Sequence, residues 1–162
     1  MRILANVTSY SQLLKELQKA RDKALKGTGE KAVEVVKDRV DKDVYAMSKG
    51  EPAVYERTYQ LRDSLVADDF KADGNSAEIT IKHDTNQIHS TAPNQHYSVV
   101  DGSSSVDSIA EIVHDGKSGL IFKNGYWTEP RPYMDNAKEI MEKGKYKDFM
   151  KEELKNQGYK VE

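Results

Sequence analysis

Apolar side chains recur along the first third of the chain at steps of three and four. Over residues 8–26, Tyr10, Leu13, Leu14, Leu17, Ala20, Ala24 and Leu25 share one face, and Lys15, Glu16, Lys19, Arg21 and Lys23 fill the rest. This spacing predicts an amphipathic helix with Thr8 or Ser9 as its cap. A second periodic run carries Ala32, Val33, Val36, Val40, Val44 and Met47 on one face and stops at Gly50-Glu51-Pro52. Between the two runs, Gly27-Thr28-Gly29 is either a break or a weak point in one long helix.

The period changes after Pro52. Thr58 is placed to cap a short helix, and residues 65–72 and 77–83 predict a β-hairpin: Ala77-Glu78-Ile79-Thr80-Ile81-Lys82-His83 alternates, and Asp73-Gly74-Asn75 supplies the turn. Residues 84–108 have no period and are rich in Ser, Asn, Thr and Asp, the composition of a long functional or disordered loop. Ile109-Ala110-Glu111-Ile112-Val113 predicts a third strand, and residues 120–127 a short fourth strand or hairpin. Pro130-Arg131-Pro132 is a rigid extended stop. Helical spacing returns with Tyr133, Met134, Ala137, Ile140 and Met141; Gly144 interrupts it before Tyr146, Phe149, Met150 and Leu154, and Gly158 ends it. The expectation is one α+β domain over residues 1–162. It has a helical segment at 8–49, short helix and antiparallel strands at 53–128 around the loop, and a C-terminal helix at 133–157, with the helices packed on one small sheet.

Composition narrows the chemistry. The chain has 162 residues, enough for a core without staples, and no cysteine, which excludes disulfides, thiolate metal sites and a cysteine nucleophile. No apolar run reaches bilayer-spanning length, and the apolar stretch in Met-Arg-Ile-Leu-Ala-Asn is too short for a signal peptide, so the expectation is synthesis in a cytoplasm without membrane contact. The net charge of −2 divides into +4 over residues 1–50, −7 over 51–130 and +1 over 131–162. The acidic middle would repel phosphates, whereas the basic start reads as the solvated face of a helix or a contact for an acidic partner.

The four histidines, His83, His89, His96 and His114, have spacings that match no zinc motif, so they are read as exposed or hydrogen-bonded. Ser103-Ser104-Ser105 with Asp101 and His96 lacks the strand–turn–helix setting that exposes a nucleophile. Gly27 and Gly29 form no phosphate loop. Arg57 and Arg62 are either carboxylate-bound surface arginines or interface arginines. Tyr126-Trp127 and Tyr133-Met134 are either core residues under the last helix or anchors between subunits. Arg57, Arg62, Tyr126, Trp127, Arg131 and Tyr133 are therefore the candidate interface residues; no catalytic, cofactor-binding or metal residue is expected.

Four segments, in order, carry a resemblance. They are the Lys/Glu/Ala-rich run from Leu14-Lys15-Glu16-Leu17 through Ala32-Val33, then Arg57-Thr58-Tyr59-Gln60-Leu61-Arg62-Asp63-Ser64-Leu65, then Ile109-Ala110-Glu111-Ile112-Val113-His114-Asp115-Gly116, and last Pro130-Arg131-Pro132-Tyr133-Met134-Asp135-Asn136-Ala137. Over residues 10–158 the chain resembles the head–tail joining, or tail-completion, minor structural proteins of long-tailed phages and prophages. Tyr59 stands where that family usually has glycine, Ile109 where tyrosine is usual and His114 where an acid is usual, and the loop at 84–108 is long. The resemblance implies a virion protein made in the host cytoplasm, without catalysis or cofactor. It would form a homo-oligomeric ring with other neck and tail proteins, around DNA that passes without specific binding. The competing readings are a nucleic-acid-binding module using the basic helices of residues 11–49, and a small hydrolase using the His/Asp/Ser loop.

Overall fold

Helix α1 runs unbroken from Tyr10 to Arg39, 30 residues or roughly 45 Å of axis. The computed structural model describes residues 9–46, 59–88, 110, 113–116 and 129–161. After α1 the winding widens to a π-helical stretch, Val40–Tyr45. The short helix α2 (Gln60–Asp63), strands β1 (Leu65–Ala72) and β2 (Ala77–His83), and a 3₁₀ turn at Thr85–Gln87 follow. Helix α3 (Tyr133–Ile140) passes through a second π-helical stretch, Met141–Lys145, into α4 (Tyr146–Asn156). The chain is α+β, with a long N-terminal helix, a C-terminal helix and, among the described residues, one two-stranded sheet. The elements fall into two compact units, residues 1–34, 67–82 and 140–162 in one and residues 35–66 and 83–139 in the other.

In the first unit the glycines at 27 and 29 bring elements together without breaking the helix. A Cβ on Gly29 would stand 2.8 Å from Ile79 Cδ1 and 3.2 Å from Ala67 Cβ, so the hairpin lies against bare helix backbone. On Gly27 it would meet the Glu153 carboxylate of α4 at 2.6 Å. Two mid-helix glycines cost helix propensity, about 1 kcal/mol each, and the close approach of two elements offsets that cost. Ala20, Ala24, Leu25 and Thr28 complete the buried face. Lys31 ties the same helix to Glu152 and Glu153 at 2.9 and 2.8 Å, and Gln157 Nε2 donates to the Ala20 carbonyl at 3.2 Å.

The hairpin has the predicted strand limits, with one extra residue in β1. At the turn, Asp73 N–H donates to the Ser76 carbonyl; at the open end, Asp84 N–H donates to the Ser64 carbonyl. The two pairs differ by one in register, so β1 carries a bulge. Asp69, with φ 53, supplies it, and Lys82 on β2 reaches both Asp68 and Asp69, at 3.1 and 2.8 Å. The bulge places Ala67 and Phe70, three apart in sequence, on the face that meets α1: Ala67 lies by Gly29, and Lys26 sits 4.5 Å over the Phe70 ring. Asp73 closes the turn by accepting from Asn75 N–H and Ser76 N–H at 2.8 and 2.6 Å, and these bonds hold its carboxyl below the ordinary range.

In the second unit, Val36, Val40 and Val44 are buried along the end of α1 and its π-helical continuation. Where a third strand was expected at Ile109–Val113, the described residues Ala110 and Val113 are helical, and the helical stretch continues to Asp115. The reason is spacing. Ala110 and Val113 are both buried and three apart, which suits one helical face and not the alternation of a strand. The expected cap at Thr58, most of the loop at 84–108 and the expected strand at 120–127 lie outside the described residues. Gly144, with φ 122, is the predicted interruption between the last two helices. Gly158, with φ 91, ends α4: its N–H donates to the Lys155 carbonyl while Tyr159 N–H donates to that of Leu154. That pair of bonds is a Schellman cap.

Gly29→Val should lower stability by about 1–3 kcal/mol in a urea titration, because the inserted branches displace Ile79 and Ala67 from contact distance.

Candidate functional site

The most connected polar cluster lies in the second unit and is built from the ends of elements. Strand β2 ends at His83, whose Nδ1 is 2.8 Å from Ser64 Oγ and whose Nε2 is 2.8 Å from the Tyr133 hydroxyl. Ser64 is fully buried, and its hydroxyl donates to the Leu61 carbonyl at 3.1 Å. With that proton committed, Ser64 Oγ accepts from His83 Nδ1–H, which leaves Nε2 to accept from the Tyr133 hydroxyl. Neutral His83 thus satisfies all three groups in one chain of bonds. Tyr133 is 1% exposed, and burial raises its phenol well above the usual tyrosine range, with a smaller contribution from Tyr45. The rings of His83 and His114 both meet Tyr133 edge-on, at 5.9 and 5.7 Å.

A second group of bonds fastens the same region to the π-helical turn. Asp43 accepts from Arg39 through both carboxylate oxygens, and Asn136 Nδ2 of α3 donates to its Oδ2 at 2.9 Å. Helix ends leave carbonyls without intrahelical donors; the Arg131 guanidinium serves one of them, donating to the Val44 carbonyl at 2.7 Å. Burial lowers the Arg131 pKa from its usual value. Arg131 N–H is shared between the carbonyls of Val113 and His114, at 3.2 and 3.0 Å. Gly116 then turns with φ +70, so close beneath Pro130 that a Cβ would lie 2.5 Å from the proline nitrogen.

Of the residues expected at an interface, Arg62, Arg131 and Tyr133 are described, whereas Arg57, Tyr126 and Trp127 lie outside the described residues. Arg62 donates to Asp63 at 2.8 Å and reaches Asp41 at 3.5 Å, which raise its pKa, Asp63 first; its guanidinium lies 4.9 Å over the ring of Tyr59. Tyr59 meets Tyr45 edge-on at 5.2 Å and is 41% exposed. Its φ of 55 is in the left-handed region. Ser64, Asp43 and Asn136 were not singled out from the sequence, whereas His83 was read as exposed or hydrogen-bonded and is hydrogen-bonded through both ring nitrogens. Arg39 and Asp43, four apart on one helix, were the available signal for one pair; nothing local joined His83 to Ser64 and Tyr133. Among the described residues no cluster of three histidine or acidic side chains could hold a metal ion, and no helix is long and apolar enough to cross a membrane.

Tyr133→Phe removes the donor to His83 Nε2 and should cost about 1–3 kcal/mol in chemical denaturation. The raised phenol pKa gives the pH dependence. A neutral phenol stabilises the fold fully below the ordinary tyrosine value of about 10. That contribution is lost as pH rises toward the folded-state value. A pH titration of stability should therefore decline above pH ~10, and the decline should be smaller in Tyr133→Phe.

No curated protein and no solved structure shows significant similarity to the chain. One family model does match, that of YomN, over residues 9–156. YomN is a phage-type family, which makes this a phage-related protein. The match spans α1, the hairpin, the Tyr133 cluster and the last two helices, and so the chain belongs to the YomN family.

Proposed function

We propose that the protein is a non-enzymatic structural subunit of a phage or prophage particle, completing the head–tail junction or the tail tube. In this reading it assembles with copies of itself into a ring, alongside other neck and tail proteins, around the DNA channel.

The observation that carries the proposal is the meeting of three separated segments in one unit. These are the segments that resemble head–tail joining proteins. Ser64 from residues 57–65 is joined through His83 to Tyr133 from residues 130–137. Residues 109–116 join the same place through Arg131 N–H and through the fit of Gly116 beneath Pro130. Tyr59 adds support, because it holds a left-handed conformation at the position where those proteins usually carry glycine. The absence of catalysis is part of the proposal. The Ser64–His83 contact is closed on the serine side, since Ser64 is fully buried, and a nucleophile needs an open approach. Its geometry suits a clamp between chain segments.

Disrupting the gene in the phage or prophage that encodes it should leave filled heads and separate tails in electron micrographs of induced lysates. The protein should also be found in purified particles. Joined, infectious particles formed without it, or its absence from wild-type particles, would refute the assignment.

A further inference from the structure

The solvent face of α1 carries a feature that the core packing does not use. Lys15, Lys19 and Lys23 are exposed and follow one another at four-residue steps, and exposed Lys26 continues the row. Each four-residue step advances about 6 Å along a helix. Like charges four apart oppose helix formation, so counter-charges would be expected beside them. Lys31, Lys42, Lys71 and Lys82 have such carboxylate partners. Lys15, Lys19 and Lys23 have none among the described residues, and the Lys26 ammonium rests on the ring of Phe70. Glu16 and, four residues after Lys26, Glu30 stand beside the row without pairing to it, and Asp22, between Lys19 and Lys26, is held by Arg21 at 2.8 Å.

From this arrangement we infer that the outer face of α1 binds the phosphate backbone of nucleic acid, without reading its sequence. A row of ammonium groups without carboxylate partners, stepped by four, four and three residues along one helix, suits a polyanion of regular repeat. One strand of duplex DNA presents a phosphate for each ~3.4 Å of axis, so one lysine step spans nearly two phosphates. An acidic protein partner is the less suitable occupant, because protein interfaces are centred on desolvated apolar and aromatic anchors. Leu14 and Leu17, although exposed, lie on the other side of the helix, in line with buried Ala24 and Thr28, and the one ring that meets the row, Phe70, is capped by the Lys26 ammonium. Lysine also places a point charge without the bidentate fork that reads guanine edges, so binding is electrostatic and indifferent to base order. The inference stands on α1 alone and does not depend on where in a particle the protein resides.

The test is fluorescence anisotropy of the full chain with two labelled 20-base-pair duplexes of unrelated sequence, in 50 to 200 mM salt. Four phosphate contacts predict a slope of log affinity against log salt of about −3.6, a loss of roughly a hundredfold across that range. Both duplexes should bind alike. Replacing the four lysines with glutamine (K15Q, K19Q, K23Q, K26Q) should abolish most of the binding and flatten the slope, with helicity unchanged by circular dichroism. The matching arginine replacements should restore the slope. The inference is overturned by no binding at 50 mM salt, by a slope unchanged in the glutamine variant, or by a preference for one duplex. Binding to polyglutamate in place of DNA would also overturn it and assign the face to an acidic protein.

Discussion

A phenol withdrawn from water must keep a hydrogen-bond acceptor, and in the second unit that requirement fixes the chain around it. Tyr133 is supplied by the first turn of α3, its acceptor by the last residue of β2, and the acceptor's own partner by the residue after α2. None of these groups can move without leaving another unsatisfied in the interior, where an unmet polar group costs about 1–3 kcal/mol. The Asp43 cluster repeats the logic with charge. A largely buried carboxylate is tolerated because Arg39 neutralises it and Asn136 adds a further donor. The winding of Val40–Tyr45, the start of α3 and the foot of the hairpin are set together by the polar groups they must satisfy.

The first unit uses a different rule. Its elements are held by proximity: bare backbone at Gly27 and Gly29 lets a carboxylate and a hairpin come within contact of α1. Here substitution is limited by volume, whereas near Tyr133 it is limited by hydrogen-bond inventory.

How far each unit was legible in the sequence follows from this contrast. The hairpin was read with its strand limits because alternation and an Asp-Gly-Asn turn are local signals. The bulge at Asp69 was not, since an extra residue shows only when two strands are paired. Helix α1 was read as two runs with an uncertain join, because Gly27 and Gly29 look like a stop until the element that needs their bareness is known. Ala110 and Val113 were misread as part of a strand: a short apolar run with β-branched side chains fits a strand as well as a helix, and the burial of these two, three apart, separates the readings. Arg131 was named as a candidate interface residue, and Tyr133 as either a core residue or an interface anchor; their described bonds are internal. Sequence marks such residues as unusual before it can show which way they face.

The bulge in β1 has a bearing on unwanted association between copies of the chain. A two-stranded ribbon offers unpaired backbone groups that another chain could extend into a larger sheet. With Asp69 forced to φ 53, the ladder of β1 is interrupted and twisted in mid-strand, and two carboxylates sit at the interruption. A strand arriving from a second copy would find neither a continuous row of partners nor a neutral surface. The residue that aligns Ala67 and Phe70 with the helix therefore also makes this strand a poor template for sheet extension.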